Sequence, residues 1–255
     1  MITLASDFGA VYPAAMKGVL LSHTDADLVD IAHDLPRQNP RAAAFWLQFA
    51  LSEFPPAVHL IVVDPGVGTD RRAIVVRSGE HAFVGPDNGV LLPPARVVNE
   101  KPIEAFEITD VTADSMTFHG RDVFAPMAAL VHEYGVGDLT EIECLKSIDD
   151  PIDITFPTPT LSGDGTEINA TVLVVDDFGN LITNVPGEKL ANYTDCLVNG
   201  HRVPIVDTFA SVPTGEPLVT VGSHGYVECD VNHGRGDVYF AVSVGETVSF
   251  EILDR

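Results

Sequence analysis

Two different rhythms of apolar and polar positions run along this chain. Up to about residue 150, short apolar runs alternate with stretches whose apolar residues recur at helical spacing. Runs at 2–5, 27–31, 58–63, 73–76 and 82–84 predict strands, and the patterns over 13–22, 40–54 and 122–133 predict helices. Alternation of that kind implies an α/β sheet whose faces are covered by helices. Prolines, glycines and acids then crowd together over 149–165, which predicts a linker and divides the chain into 1–150, 151–165 and 166–255. Beyond it only short β-rich runs occur, at 167–176, 197–203, 217–221, 226–231 and 247–252, separated by Gly, Asn and Pro turns. A small β-barrel or sandwich fits that second pattern. No internal repeat is visible.

Composition sharpens this picture. The 255 residues are 45% hydrophobic and 20% charged, ordinary for a folded globular protein, and the apolar runs are too short to span a bilayer. The opening residues lack the layout of a signal peptide, which places the protein in the cytosol. With 14 basic against 37 acidic side chains the net charge is −23, so the surface repels nucleic acid and anionic membranes alike. Arg71 and Arg72 are the one adjacent basic pair, and lysine is confined to Lys17, Lys101, Lys146 and Lys189. Acids spread along the whole chain suit a protein kept hydrated in high salt. Cys144, Cys196 and Cys229 are too scattered for a disulfide framework and read as core thiols.

Candidate chemistry gathers where predicted strands end. A strand runs into Val63-Asp-Pro-Gly-Val-Gly-Thr69, so Asp64 stands at the mouth of the sheet, where ligand sites form in open α/β folds. Gly66 and Gly68 permit close backbone approach there, and Arg71 is at hand to pair with the carboxylate. The simpler reading is a turn whose carboxylate bonds its own backbone. A phosphate loop is excluded by the missing Gly-Lys-Ser/Thr. His119, between Phe118 and Gly120 and just before the Asp122 helix, can exchange a proton near neutral pH, although a lone histidine is more often structural. No spacing among the nine histidines matches a metal-binding motif. Further acids close Ser6-Asp-Phe-Gly9, Gly85-Pro-Asp-Asn-Gly89 and Asp176-Asp-Phe-Gly-Asn180, the last followed by Thr183 and Asn184. Asp87 and Asn88 read as hairpin residues. Recurrent carboxylates are also good acceptors for ribose hydroxyls, which points towards a nucleoside-like ligand.

Taken in order, these segments resemble one family. Ser6-Asp-Phe-Gly9, Met16-Lys-Gly18, Asp30-Ile-Ala-His-Asp34, the Asp64 loop, Val84-Gly-Pro-Asp-Asn-Gly89, Thr117-Phe-His-Gly-Arg-Asp-Val-Phe-Ala-Pro126 and Asp176-Asp-Phe-Gly-Asn180 are similar to those of the S-adenosyl-L-methionine (SAM) hydroxide adenosyltransferases, relatives of fluorinases and chlorinases. The resemblance runs from residue 6 to about residue 236. It implies an N-terminal α/β domain, a C-terminal β-barrel, and a homotrimer whose sites lie between the first domain of one subunit and the second of its neighbour. It also implies hydrolysis of SAM to adenosine and L-methionine. The family's catalytic set falls on Asp64, Arg71 and His119. Asp7 matches the ribose carboxylate, and Phe118 and Gly120, flanking His119, are further candidates for substrate binding. Asn180 and the segment Ser223-His224-Gly-Tyr226 match second-domain groups around adenine and methionine, and Asp176 is a further candidate for substrate binding.

Because a sulfonium leaves without protonation, such a site must supply an oriented water, with Asp64 and His119 holding it and Arg71 fixing the carboxylate. No metal or cofactor is called for, since SAM is the substrate. Two departures bear on the methionine end. Ala10-Val-Tyr-Pro13 follows the first motif where relatives carry another acid, and His224 stands where relatives often have arginine; Tyr12 and Asp176 are candidates to compensate. The alternatives are a halide-using enzyme of the same superfamily, which resembles this chain without the Asp and His, and a non-catalytic binder of SAM or adenosine.

Overall fold

Ile2–Ser6 (β1) and Val58–Val62 (β3) are mostly apolar and buried throughout, as strands covered on both faces must be. In the computed structural model, which describes residues 1–9, 11–110, 115–163 and 166–253, they lie side by side and parallel, Ser6 opposite Val62. Ala10 and Gly165, on which two of the expectations touch, lie outside the described residues. Leu28–Ala32 (β2) flanks β1, and the sheet continues past β3 with Ala73–Ser78 (β4), His81–Pro86 (β5), Glu104–Ile108 (β6) and Leu145–Ile148 (β7) in the order β2-β1-β3-β5-β4-β6-β7. The first four strands in that order pair parallel, and the remaining pairings are antiparallel.

Helices cover this sheet. Val11–His23 (α1) and Ala125–Tyr134 (α4) bury Met16, Leu20, Met127 and Val131 with Ile2, Leu4, Leu60 and Val84 in one core. Pro40–Leu51 (α2) starts on Asn39, whose side chain accepts from the Ala42 N–H at 3.1 Å, and Leu92–Val97 (α3) follows β5. The 122–133 helix pattern resolves into a π-helical turn, Gly120–Phe124, leading directly into α4. Gly85-Pro-Asp-Asn-Gly89 makes no hairpin. Asp87 instead pairs with Arg72 at 2.7 Å and accepts the Ile152 N–H at 2.7 Å, while Asn88 Nδ2 donates to the Val63 carbonyl at 2.8 Å. Tertiary partners here override the local turn preference.

The chain divides into the units Met1–Thr155 and Phe156–Arg255. Within the anticipated linker, Ile152 and Asp153 are tied to Asp87 and Arg96 of the first unit, and Thr160–Leu161 (β8) pairs with Glu167–Val175 (β9) of the second. Leu181–Pro186 (β10), Asp195–Val198 (β11), His201–Pro204 (β12), Pro217–Val221 (β13), Tyr226–Val231 (β14) and Thr247–Ile252 (β15) complete that second unit, with a short helix Gly236–Phe240 (α5). Its order is β12-β11-β15-β9-β10-β14-β13, and an Ile205–Val219 bridge links the two edges into a nearly closed antiparallel barrel. The single strand expected at 197–203 is a hairpin. Asn199 and Gly200 both take positive φ, 49° and 83°, which suits a two-residue turn between right-twisted strands. Cys196 and Cys229 are buried free thiols of the barrel core, and burial pushes Cys196 up to about 12; Cys144 is half-buried.

Candidate active site

Parallel pairing of β1 with β3 puts their carboxyl ends on one edge of the sheet, so Asp7 and Asp64, just beyond those ends, open onto the same cavity of about 420 Å³. Phe118, His119 and Gly120 reach that cavity from the π-helical turn, a local widening that often marks functional positions. Phe8, Tyr12 and Phe118 meet edge to face, with ring centroids 5.3 to 6.3 Å apart, and form an aromatic wall. Asp7 is buried, and its Oδ2 accepts the Gln38 N–H at 2.6 Å.

Behind Asp64 and His119 lies Arg71. Its Nε donates to both Asp64 oxygens, at 2.9 and 3.1 Å, and its Nη2 donates to Asp64 Oδ2 and, at 3.0 Å, to His119 Nδ1. The Asp64 carboxylate therefore grips arginine rather than its own backbone; the turn is closed by the Asp64 carbonyl, which accepts the Val67 N–H. Both side chains are nearly buried, and the guanidinium stands 5.0 Å over the Phe124 ring. A guanidinium has no acceptor, so His119 Nδ1 must be the bare nitrogen and its proton sits on Nε2. Burial and then the Arg71 charge hold His119 below the ordinary histidine value, so the ring is neutral at pH 7. Gly68 adopts φ +78°, and a Cβ there would meet the Met116 carbonyl oxygen at 2.8 Å. The loop holding Asp64 thus needs glycine at that point.

In the barrel unit a second cavity, about 710 Å³, is lined by Asp176, Asn180 and Ser223, with Phe178 and Phe209 at its sides. Asn180 is locked: its backbone N–H and its Nδ2 donate to the two oxygens of Asp176, at 2.9 and 3.0 Å. Its side-chain oxygen is thereby fixed as the acceptor end. His224 and Tyr226 do not line this cavity. His224 is turned onto Glu228 at 2.7 Å and accepts the Tyr226 N–H at 3.1 Å. Glu228 does line it, and fully buried Asp230 lies beside Glu228 on the same face of β14. Burial and the Glu228 and Asp176 charges push Asp230 well above the carboxylate range, so Asp230 keeps its proton in the fold. Neither acid was singled out from sequence. The signal was the alternation in β14, where Val227 and Cys229 face the core and leave Glu228 and Asp230 on the other side.

Among the described residues no group of three or more His, Cys, Asp and Glu side chains could hold a metal ion. Residues 2–142 match the model of the SAM hydroxide adenosyltransferase N-terminal domain, and residues 170–249 match that of its C-terminal domain. The chain belongs to the SAM hydroxide adenosyltransferase family. Among other members, an (R)-S-adenosyl-L-methionine hydrolase of Thermus thermophilus is 39% identical over 265 residues, 97% of each chain. One of the same name from Salinispora tropica is 37% identical over 253 residues, 96% of this chain and 95% of the other. Among solved structures, an uncharacterized conserved protein of Thermotoga maritima superposes with a TM-score of 0.83 at 31% identity, covering 98% of this family member and 99% of the other.

Proposed function

We propose that this chain hydrolyses SAM to adenosine and L-methionine, with water attacking the ribose C5′ carbon opposite the sulfonium sulfur. The observation that carries the reading is the Arg71-centred array, which leaves Asp64 a proton acceptor and His119 Nε2 a proton donor at one cavity. A water lying between them donates to Asp64 and accepts from His119, which aims an oxygen lone pair at the carbon. The C5′–O bond forms as C5′–S breaks, the electron pair leaves on sulfur as neutral thioether, and the water proton passes to Asp64 and on to solvent. Arg71 fixes the orientation of the Asp64 carboxylate and holds His119 in the required tautomer. Positive charge disperses during the step, so a partly enclosed cavity with an aromatic wall favours the transition state.

Asp7 takes the ribose hydroxyls, and Asn180 and Ser223 take the adenine and methionine ends. In the trimer implied by the resemblance, a neighbouring copy supplies the barrel residues. The relatives' names carry the (R) descriptor, and we assign the same sulfonium configuration to the substrate here. Incubation with each sulfonium epimer and chromatography of the products tests the proposal. Adenosine and methionine in equal amounts, faster from the (R) epimer, are expected. A 5′-halogenated nucleoside formed in their place would assign a halogenase, and tight adenosine binding without turnover would assign a sensor.

A further inference from the structure

Three of the family-like segments, Ser6-Asp-Phe-Gly9, Met16-Lys-Gly18 and Asp30-Ile-Ala-His-Asp34, have no part in the water-activating array, yet the fold joins them into one chain of hydrogen bonds. Lys17 Nζ, on α1, donates to Asp30 Oδ2 at 2.5 Å; Asp30 Oδ1 lies 3.0 Å from His33 Nε2; and His33 Nδ1 lies 2.7 Å from Ser6 Oγ. The connectivity is that of a serine nucleophile with its histidine and acid. Ser6 is completely buried, however, so it cannot meet a substrate, and the array has a mechanical meaning instead.

That meaning lies in where Ser6 stands. It is the last residue of β1, immediately before Asp7 and Phe8, which both line the 420 Å³ cavity. On the far side of those two residues the Gly9 N–H donates to the His33 carbonyl at 2.8 Å. His33 therefore clasps the Asp7–Phe8 loop at both ends, once through its ring and once through its backbone. An ionised Asp30 can only accept, so His33 Nε2 donates to it and Nδ1 is left to accept from the Ser6 hydroxyl. Hydrogen bonds from Lys17 and His33 outweigh burial and hold Asp30 below the usual carboxylate value, so the acceptor stays ionised and the ring orientation is fixed.

We propose that His33 is a positioning residue for substrate binding, which, oriented by Asp30 and Lys17, sets the Asp7–Phe8 loop in the geometry that grips the ribose. The inference rests on the reading of Asp7 as the ribose carboxylate. The lever is ground-state binding and not water activation, because His33 lies on the other side of the loop from Arg71 and shares no hydrogen bond with it.

The test compares steady-state kinetics of His33→Ala, His33→Asn, Asp7→Ala and the pair His33→Ala with Asp7→Ala in the full chain, with thermal melting of each. His33→Ala should raise KM for SAM about tenfold, the effect of losing one to two hydrogen bonds, while kcat changes less than about threefold. His33→Asn, whose amide can still meet Ser6, should recover part of the loss. The double variant should be no worse than Asp7→Ala alone, since the clasp acts only through that loop. If Asp7→Ala leaves KM unchanged, the ribose reading fails. If Asp7→Ala raises KM but His33→Ala does not, or if His33→Ala lowers kcat and melting temperature together with KM unmoved, the positioning role is overturned. Should His33→Ala not fold, Lys17→Met, which keeps the ring and removes its anchor, gives the same split on a smaller scale.

Discussion

Arg71 donates through a single nitrogen, Nη2, to both Asp64 and His119, and that shared donor decides the chemistry of each partner. Protonation of His119 Nδ1 would break the bond to Arg71 and set two cations face to face. Because burial and Arg71 lower the His119 pKa, kcat/KM should fall on the acid side with an apparent pKa below 6.5, the ordinary histidine value. A pH–rate profile whose acid limb lies above that value would contradict the assignment. Asp64→Ala and His119→Ala should each lower turnover on the order of a hundredfold or more with adenosine binding largely kept. Arg71→Met should resemble them, since it releases both groups at once. Asp64 and His119 could be read from sequence because each stands at an element boundary beside glycine. The roles of His119's two nitrogens could not, because they depend on the sheet bringing residues 64, 71 and 119 together.

At the scale of elements, alternation along β14 separates two kinds of residue, and the acids on its polar side carry a stability signature. Asp230 holds a proton when folded that it would release when unfolded, so the folded form loses stability as pH climbs from the ordinary carboxylate range towards the raised value. Asp230→Asn should remove that slope and raise stability near pH 8 by about 1 kcal/mol or more, read from melting curves against pH. A steeper alkaline loss in the variant would count against a protonated Asp230. The opposite sign belongs to β3. His59 is fully buried between Thr3, at 2.8 Å, and His81, at 3.0 Å, and burial lowers it to about 3. Unfolding lets it take up a proton below 6.5, so stability should be lost as pH falls from there towards 3, by about 1.4 kcal/mol per pH unit for one such group. His59→Phe should flatten that acid slope. Short apolar runs made β1 and β3 legible from the sequence, and a β-rich run bounded by turns made β14 so. β6 and the edge strand β7, with charged residues at exposed positions, were not, and the Asn199-Gly200 turn was hidden inside a continuous β-like run.

For the whole molecule the governing quantity is a net charge of −23 spread over two units. Many acids are paired locally, as in Arg72 with Asp87 and Arg96 with Asp153, but most carboxylates face solvent and repel one another. Salt shortens the range of that repulsion to within about 10 Å at 0.1 M, so melting temperature should rise steadily from low to molar salt. A melting temperature independent of salt would show that the charge is already compensated. The same field favours a cationic sulfonium over a neutral nucleoside, which makes weaker SAM capture in high salt a second consequence. No described helix is long and apolar enough to cross a membrane.

Under the proposed mechanism, water held by Asp64 and His119 becomes the 5′ oxygen of the product. Reaction of this chain with SAM in heavy-oxygen water, followed by mass spectrometry of the products, follows that oxygen. One heavy oxygen is expected in adenosine, on the ribose 5′ carbon, with unlabelled methionine and loss of the labelled product in Asp64→Ala and His119→Ala. Unlabelled adenosine, label in the amino-acid product, or undiminished labelling in both variants would contradict that mechanism.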